Sequence, residues 1–472
     1  MRLVGGPYPL LKGSEISTIH AGALHILAEM GMEIQNERLL TACERAGFNV
    51  DHTTQRVRFP APIVENFIAG AGKFDWDNFI PTVSSTAGVY HGRYHDPATG
   101  NLLDWSEERL AGYFALARAL PNVGTCSVLG SRLPVPALLE PLYERYFCWK
   151  YGASEGGSIA LDEVCPYLLD LYQMYADHQG KSLAEVFVGN VYLIPALKLG
   201  RHEAWQVVYF WERGLRVRIG DMLAMGATAP VTAAGAVTLN LAERLALALL
   251  NFALWGERKL HLHCGLFPFD MRTMIFPFGR PEGIAPMLIT AQLARYYGVS
   301  FSGHGGLTTA KLPSPEAGYQ KALTAVPILL AGGNLWLDAG LLSCDEVYSP
   351  IQMVLDNEFL GALKHLCHDI EISDDTLALD TILAVGPGGH YLDQIHTAKH
   401  FRRAQWQPQL WTRTMLGPWL EAGGKIDTDV AREHALSLMP KNLPEGLISS
   451  ALEKDVLSLL ERARQSLMLH NA

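Results

Sequence analysis

The sequence predicts an α/β protein built on a TIM (β/α)8 barrel, with an added N-terminal α-rich segment and a C-terminal helical extension. Three observations favour this fold: the chain is long, short apolar runs alternate with amphipathic helices, and about eight such β/α units follow one another. Its 472 residues are 49% hydrophobic, which is enough for a large buried core. A doubly wound parallel sheet is the competing fold, because a strand count wrong by one would favour it.

The candidate strands are short apolar runs that end in small or polar residues. They cover residues 124–130, 156–161, 186–194, 215–220, 260–265, 299–304, 334–340 and 382–386. Helical periodicity is found at 14–30, 36–46, 61–70, 138–150, 232–255, 283–297, 315–332, 349–367 and 428–468. We therefore divide the chain into an N-terminal segment over 1–120, a barrel over 121–415 and an extension over 416–472.

Composition excludes several classes of protein. The formal net charge is −10, and an acidic chain without a basic cluster argues against a nucleic-acid-binding protein. The seven cysteines are scattered and form no CxxC pair, as expected of reduced thiols. The N-terminus lacks the basic and apolar regions of a signal peptide, and no run of ~18 apolar residues predicts a membrane span. We expect a cytoplasmic homo-oligomer with no membrane partner.

Five segments of the chain form an ordered set of motifs. They are HDPATG at 95–100, MGATAPVTAAGAV at 225–237, FDMRT at 269–273 with FGRPE at 278–282, GGLTTAK at 305–311, and VGPGGHYLDQIHTAKHFR at 385–402 with WQPQL at 406–410. In this order they resemble the trimethylamine methyltransferase family, in the branch that includes non-pyrrolysine glycine betaine methyltransferases. The resemblance extends over nearly the whole chain.

The resemblance implies a barrel that binds a methylated amine at the carboxyl ends of its strands. One methyl group would pass to the Co(I) form of a corrinoid (cobalamin) carried by a small partner protein. The trimethylamine enzymes of the family carry pyrrolysine in this region, whereas this chain has only standard residues, with WLDAGLL around Leu337–Leu341. This departure favours a quaternary amine, such as glycine betaine, over trimethylamine.

A quaternary ammonium can leave as a tertiary amine without being protonated. The protein therefore has to supply an aromatic cage for the cation, an anchor for any carboxylate and an opening for the corrinoid. The aromatic residues near predicted strand ends are Tyr94, Tyr192, Phe267, Phe269, Trp336 and Tyr391. Each of them could equally pack in the core, since most barrel aromatics do.

The predicted catalytic residues are polar side chains at or near strand ends. His304 ends the run FSGHGG, Asp338 ends WLD, and Asp270 lies in the loop FDMRT. A carboxylate at Asp338 would pair with the ammonium of the substrate. The structural alternatives are a core histidine bonded to a carbonyl, a helix-capping aspartate and an ion pair that shapes the loop.

Three further residues are predicted to contact the substrate. Arg272 and Lys311 are the candidate anchors for the carboxylate of a betaine. For Arg272, a salt bridge to Asp270 or Glu282 is the alternative. Thr228, in MGATAPVT, is expected to line the pocket.

The turn VGPGGH at 385–390 is predicted to contact the corrinoid or its carrier. It follows a candidate strand, and Gly386, Gly388 and Gly389 would present backbone N–H groups there. His390 and His396 would add side-chain contacts. Local helix capping is the alternative for both histidines.

The run HLHC at 261–264 is a possible but incomplete metal site. On a strand, His261 and His263 share one face and Cys264 lies on the other. Zinc requires three or four ligands that converge on one point. We expect no tightly bound metal.

Two other functions remain open from the sequence. The barrel could pass a methyl group to another acceptor, such as a folate, or it could bind betaine without catalysis. The width of the opening at the carboxyl ends of the strands would help to distinguish these functions from transfer to a corrinoid.

Overall fold

Parallel strands that alternate with helices form the centre of the protein. The computed structural model describes residues 9–89, 92–128, 135–152 and 157–469. The parallel strands are Val83–Val89, Cys126–Val128, Gly189–Tyr192, Val217–Gly220, Leu223–Met225, His261–His263, Leu266–Pro268, Ser300–Gly305 and Asn334–Asp338. The helices between and after them are Glu107–Ala119, Glu140–Phe147, Cys165–Gln179, Leu183–Val186, Arg201–Trp211, Ala233–Trp255, Ile284–Tyr297, Pro315–Leu330 and Pro350–Leu366. The predicted α/β class is confirmed.

The strand pairings follow the order of the chain and return to its beginning. Val83–Val89 pairs with Cys126–Val128, and Asn334–Asp338 pairs with both Ser300–Gly305 and Val83–Val89. The remaining parallel contacts join residue 158 to Gly189–Tyr192, Gly189–Tyr192 to Val217–Gly220, Leu223–Met225 to Leu266–Pro268, and His261–His263 to Ser300–Gly305. Within the described ranges, no pairing joins Cys126–Val128 to residue 158.

Two of the strand predictions need correction. Residues 382–386 were expected to form a strand, but Leu379–Val385 is a helix. The strand that the prediction missed is Val83–Val89, which lies inside the predicted N-terminal segment. Its sequence, VSSTAGV, is rich in small polar residues because one face is turned to a polar interior, so it lacks the apolar run used to find strands. The predicted boundary at residue 121 therefore does not mark the start of the sheet.

The other predicted strands have counterparts close to the expected positions, with boundaries shorter by a few residues. Residues 129–130 and 156 of the first two predictions lie outside the described residues. In place of a strand at 156–161 the structure has a parallel bridge from Ser158 to Asn190. Most predicted helices agree closely with the observed ones, for example 232–255 with Ala233–Trp255. The stretch predicted as helical over 428–468 is instead two helices, Asp427–Leu438 and Ser450–Leu469.

The helix Pro315–Leu330 packs closely on one face of the strand Ser300–Gly305, and this face points outward. A Cβ atom on Gly305 would lie 2.7 Å from the carbonyl oxygen of Thr324, and one on Gly303 would lie 2.8 Å from the side chain of Ile328. Glycine at these positions lets the helix Pro315–Leu330 pack directly on the strand. Because side chains alternate along a strand, His304 is on the opposite face, toward the interior of the strand set.

A small mixed sheet and three N-terminal helices pack beside the strand set, with the helices against Ala233–Trp255. The helices are Gly13–Glu29, Glu37–Arg45 and Ala61–Gly70, and the strands are Met32–Ile34, Asn49–Asp51, Arg56–Arg58 and Lys198–Leu199. A second small sheet consists of Arg93–His95, Leu102–Leu103, Leu341–Leu342 and Val347–Tyr348. It follows directly from the carboxyl end of Asn334–Asp338, so it joins that end to the N-terminal region.

Among the described residues, one helix is long and apolar enough to cross a membrane. It is Ala233–Trp255, and 61% of its most apolar stretch is buried inside the protein. Asn240 donates a hydrogen bond to Asp221, and Arg244 forms an ion pair with the same carboxylate. Glu243 accepts the backbone N–H of Leu197 at 2.7 Å. These buried polar contacts fit a core helix of the fold, in which charged groups are paired with other parts of the protein.

The chain ends in short helices followed by two longer ones. The short helices are Asp374–Leu377, Leu379–Val385, Ile395–Ala404 and Leu416–Glu421, and the longer ones are Asp427–Leu438 and Ser450–Leu469. The two longer helices bury one face against the strand-flanking helices, with Ala431, Ala435, Val456 and Leu460 in the core. Residues 369–426, which we call the C-terminal arm, contribute only Leu410 to the buried set.

A fully buried ion pair joins the helices Pro315–Leu330 and Pro350–Leu366. The Lys321 Nζ lies 2.9 Å from Oδ2 of Asp356, and both side chains are about 2% exposed. Asp356 also accepts the backbone N–H of Gly340 and the side-chain amide of Gln352, each at 2.8 Å. The pair therefore also holds the chain just after the strand Asn334–Asp338.

We predict that Lys321→Met lowers the free energy of unfolding by about 3–5 kcal/mol, because it leaves Asp356 buried and unpaired. The double variant Lys321→Met/Asp356→Asn should recover at least half of that loss. Urea unfolding followed by tryptophan fluorescence measures both variants. A single variant that costs less than about 1 kcal/mol would contradict the importance of the pair.

Candidate functional site

His304 and Asp338 meet at the carboxyl ends of neighbouring strands, as the sequence predicted. The Nε2 atom of His304 lies 3.0 Å from Oδ2 of Asp338, and the Asp338 side chain is only 4% exposed. The two atoms are not aligned for a hydrogen bond, and the buried Nε2 has no other partner in the described part of the chain. A buried polar atom of this kind normally has a partner. The Nε2 atom of His304 can therefore still form a hydrogen bond with a ligand.

A second carboxylate, the half-buried Asp345, interacts electrostatically with this pair and was not predicted. Ser343, Cys344 and Asp345 all adopt left-handed backbone conformations, with φ of 55°, 53° and 69°. The first two donate backbone hydrogen bonds to Ala310 and Thr308, at 2.9 and 3.1 Å. Left-handed conformations are uncommon outside glycine, and a run of three indicates a backbone that the surrounding structure imposes. Sequence reasoning missed Asp345 because this turn depends on contacts with residues 308–310.

The charges around Asp345 form one electrostatic cluster. Burial and, to a smaller extent, the negative charge of Asp338 raise the pKa of Asp345 to about 6, although His304 and Lys321 oppose the increase. Its Oδ1 atom is buried and has no hydrogen-bond partner among the described residues. Two carboxylates at close range disfavour each other's ionised form unless a cation lies near them. The cluster of Asp338, Asp345 and His304 is therefore suited to binding a positively charged group.

Two of the predicted aromatic residues border this cluster. Trp336 is the strand partner of His304, shares a face with Asp338 and is 42% exposed. Tyr192 ends the strand Gly189–Tyr192 and is 56% exposed. Desolvation by the surrounding protein raises the pKa of its phenol, and the carboxylates of Glu144 and Asp338 add to the increase. Both rings are accessible to a ligand, and Tyr192 is within electrostatic range of the acidic pair.

The other predicted aromatic residues lie elsewhere. Tyr94 is 3% exposed and packs against Trp105, with ring centroids 5.3 Å apart, which corresponds to the alternative of an aromatic residue packed in the core. Phe269 and Phe267 are half-buried and make edge or tilted contacts with Phe276 and Phe278. Those contacts place them in the wall of the loop region after Leu266–Pro268. Tyr391 lies on the C-terminal arm, 42% exposed.

The loop FDMRT is stabilised by Asp270 and Arg280. Asp270 Oδ1 accepts the backbone N–H of Arg272 at 2.8 Å, and its Oδ2 lies 3.3 Å from Arg280, which also pairs with Glu282 at 2.7 Å. The hydrogen bond from Arg272 lowers the pKa of Asp270. The expected alternative, an ion pair that shapes the loop, is thus formed by Arg280 rather than by Arg272. Asp270 uses both carboxylate oxygens within its own loop, and the Arg272 residue is exposed.

Of Lys311 and Arg272, only Lys311 has a side-chain contact that leads to the acidic cluster. Its Nζ donates a hydrogen bond to Ser343 Oγ at 2.9 Å, two residues before Asp345. Ser343 Oγ in turn donates to Glu346. Thr228 uses its hydroxyl oxygen to accept the backbone N–H of Ala224 at 2.8 Å, which closes the turn after Leu223–Met225. Of the two predicted carboxylate anchors, Lys311 is therefore the one linked to the cluster.

His261 and His263 face the polar interior on one strand. His261 Nδ1 and Nε2 lie 2.8 Å from the hydroxyl oxygens of Ser300 and Ser302. Burial lowers the pKa of both histidines, and Arg244 adds to the decrease. Cys264 is buried on the opposite face, as the alternation predicts. No group of three or more potential metal ligands is present in the described ranges.

The residues predicted to contact the corrinoid are all on the C-terminal arm. The turn at 385–390 follows the helix Leu379–Val385 and not a strand, so the reason for placing it at the strand ends is wrong. Gly386 and Gly388 have positive φ of 68° and 76° and end that helix, as glycine commonly does, and Gly389 follows them. His390 is exposed, 3.6 Å from Asp393, and His396 packs on His400 with ring centroids 4.5 Å apart. Contact of these five residues with a corrinoid stays a prediction.

Comparison with known proteins identifies the family. Residues 4–75 and 168–463 match the family described as trimethylamine methyltransferase (MTTB). Because the match covers more than half of the chain, this chain belongs to that family. The predicted family and the predicted enzyme class, a methyltransferase, are confirmed.

Individual relatives match over almost their full length. The chain is 28% identical over 452 residues to the glycine betaine methyltransferase of Desulfitobacterium hafniense (strain Y51), with 91% of each chain covered. It is 26% identical over 452 residues to the trimethylamine methyltransferase MttB of Desulfitobacterium hafniense (strain DSM 10664 / DCB-2), covering 92% of this chain and 90% of the relative. The crystal structure of the Methanosarcina barkeri monomethylamine methyltransferase (MtmB) aligns with a TM-score of 0.50 at 12% identity, over 93% of this chain and 89% of that one. This structural likeness concerns the fold alone.

We predict that Asp345→Asn raises the free energy of unfolding at pH 7 by about 1–3 kcal/mol, since each pKa unit corresponds to about 1.4 kcal/mol. The raised pKa, about 6 against an ordinary 3.8, means that the folded state binds the proton more tightly than the unfolded state. Stability of the parent protein therefore falls as pH rises from 3.8 to about 6 because Asp345 ionises, and the variant lacks that fall.

Urea unfolding at several pH values from 4 to 8 measures this difference. Asp369→Asn, at an exposed carboxylate at the start of the C-terminal arm, is the matched control and should follow the parent in this range. Parallel stability curves for the parent and Asp345→Asn would contradict the assignment.

Proposed function

We propose that this chain removes a methyl group from a quaternary amine, glycine betaine or a related betaine, and passes it to the Co(I) corrinoid of a small partner protein. The observation that carries the proposal is the interaction of the buried Asp338 with the half-buried Asp345 beside His304, together with the accessible rings of Tyr192 and Trp336. It supports a site for a methylated cation in a chain of the trimethylamine methyltransferase family. The glycine betaine methyltransferase among the relatives supports the choice of donor.

The carboxylates and the aromatic rings act on the same charge. Asp338 and Asp345 supply negative charge where the ammonium would lie, and the faces of Tyr192 and Trp336 attract its methyl groups. Lys311, held at Ser343, lies where it could pair with the carboxylate of a betaine. A site with both signs of charge distinguishes a betaine from trimethylamine, which has no carboxylate. In this arrangement the protein binds and orients the donor.

The proposed transfer balances without a proton. The bond between nitrogen and the methyl carbon breaks, and its electron pair stays on nitrogen, which leaves as a neutral tertiary amine. The corrinoid is the second substrate, and its Co(I) supplies the electron pair that forms the new bond to carbon and becomes Co(III). Asp338 and Asp345 hold the ammonium in position, and His304 can donate from Nε2 to an oxygen of the bound donor.

We propose three further properties that the predicted fold and composition support. The pairing of the late strand Asn334–Asp338 with the early strand Val83–Val89, which itself pairs with Cys126–Val128, supports closure as a TIM (β/α)8 barrel. The free cysteines, most of them buried, support a cytoplasmic location, where thiols stay reduced. The apolar surface described below supports a homo-oligomer.

The first test is incubation with chemically reduced cob(I)alamin and a panel of betaines, with trimethylamine as a comparison. We expect methylcobalamin to form with a betaine and not with trimethylamine, and the visible spectrum detects methylcobalamin.

Asp338→Asn should lower kcat/KM by about 100-fold, because a buried charge contact worth about 3 kcal/mol is lost. Asp455→Asn, on the C-terminal helix, is the matched control and should keep the parent rate. Betaine binding by calorimetry without methyl transfer to cobalamin would contradict the proposed acceptor.

A second test addresses the aromatic wall. We predict that Tyr192→Leu raises KM for the betaine about 5–30-fold, with a smaller change in kcat, because about 1–2 kcal/mol of cation–π attraction is removed. Tyr192→Phe retains the ring and should behave like the parent enzyme. Equal effects of the two substitutions would assign the role to the hydroxyl group and contradict the cage.

A further inference from the structure

The C-terminal arm exposes more apolar side chains than any other part of the protein. Its 58 residues carry fifteen of the 38 large hydrophobic residues that are exposed in the described ranges. They are Ile370, Ile372, Leu377, Leu379, Ile382, Leu383, Tyr391, Leu392, Ile395, Phe401, Trp411, Met415, Leu416, Leu420 and Ile426. Each is at least 40% exposed, and Leu392 and Ile395 reach 87% and 86%. So many exposed apolar side chains within one segment are typical of an interaction site.

Several charged residues of the arm are paired with one another, and Lys425 pairs with Glu433 just beyond the arm. Lys399 and His400 contact Asp375 at 2.7 and 3.1 Å, and Arg403 lies 3.6 Å from Glu371. These contacts turn the basic side of the helix Ile395–Ala404 toward the short helix Asp374–Leu377. The side chains of the pairs Lys399–Asp375 and Arg403–Glu371 are 52–71% exposed, so paired charges and apolar residues share the outer surface of the arm.

The arm helices are too short to be stable without a covering surface. The longest, Ile395–Ala404, has 10 residues, and the others have seven or fewer. Isolated helices below ~12–15 residues are marginal in water, and helices in proteins gain their stability from packing of an apolar face. The arm is attached to the rest of the chain at residues 409–411, where Glu358 Oε1 accepts three backbone N–H groups. Another protein surface must therefore pack on the apolar residues of the arm whenever the arm is folded.

We propose that the arm is the self-association surface of this protein and packs against a second copy of the chain. A permanent cover is the property of an obligate interface, and obligate interfaces are large and apolar. Fifteen exposed apolar residues on each chain present an area on the order of the ~800 Å² that each partner needs in a stable interface. A symmetric dimer uses the same surface on both copies, so both arms are covered at once.

The charge of the arm also fits a second copy. Residues 369–426 contain seven acidic and five basic side chains, whereas the whole chain has a net charge of −10. Two copies of an acidic chain repel each other, and a nearly neutral surface lowers that repulsion. A corrinoid protein that has to dissociate is a transient partner, and transient interfaces are smaller and more polar than this one. The inference names the surface of the proposed homo-oligomer and does not depend on the methyl donor.

The test is the mass of the full-length protein in solution. Sedimentation equilibrium of the parent should give at least twice the chain mass of 51.9 kDa. The triple variant Leu383→Asp/Leu392→Asp/Ile395→Asp should weaken self-association at least 100-fold and give a single chain at micromolar concentration. Hydrogen exchange of residues 395–404 should be slow in the parent and at least 100-fold faster in the variant.

The matched control replaces equally exposed apolar side chains outside the arm. Val231, Met271 and Tyr319 are 68%, 71% and 77% exposed, and their triple replacement by Asp adds the same charge. This control should keep the mass of the parent, and circular dichroism should show both variants folded.

A monomeric parent, or an arm variant that stays associated, would overturn the proposal. Loss of binding to a corrinoid protein with unchanged mass would assign the arm to that partner instead. Because the readout is mass, failure of the proposed reaction leaves this test unaffected.

Discussion

Parallel pairing of Asn334–Asp338 between Ser300–Gly305 and Val83–Val89 is the constraint on which the site depends. In parallel strands the carboxyl ends lie at the same edge, so residues far apart in the chain end beside one another. His304 and Asp338 approach within 3.0 Å because their strands are neighbours in register. Trp336 takes its place next to His304 for the same reason. The glycines at 303 and 305 let a helix cover the other face, which leaves the inner face for polar groups.

The site concentrates charge that the surrounding structure has to compensate. Asp338 and Asp345 disfavour each other, and His304 and Lys321 oppose that effect from two directions. Lys321 is itself engaged with Asp356, which also holds Gly340 just after the strand. A network of this kind connects stability to binding, because a cation in the site would relieve the repulsion between the carboxylates. The polar interior and the ion pair behind it are therefore parts of one electrostatic arrangement.

Local patterns allowed most helices and strands to be predicted, and they failed at identifiable places. Ala233–Trp255 has strong periodicity and clear ends, whereas VSSTAGV at 83–89 has neither an apolar run nor a simple alternation. His304, Asp338, Tyr192 and Trp336 were found because they end predicted strands. Tyr94 was assigned to the site by the same rule and is buried, since its strand belongs to the small sheet with Val347–Tyr348. Asp345 gave no signal, because a left-handed run is invisible in sequence.

The sequence by itself determined the α/β class, the family resemblance and the residue types available at the strand ends. These depend on periodicity and on ordered motifs, which are local properties of the chain. Only the tertiary structure decided that Val83–Val89 completes the strand set, that Asp345 joins Asp338, and that residues 385–390 lie on an exposed arm. The physical reason is that strand pairing, burial of a charge and exposure of an apolar surface depend on residues distant in sequence.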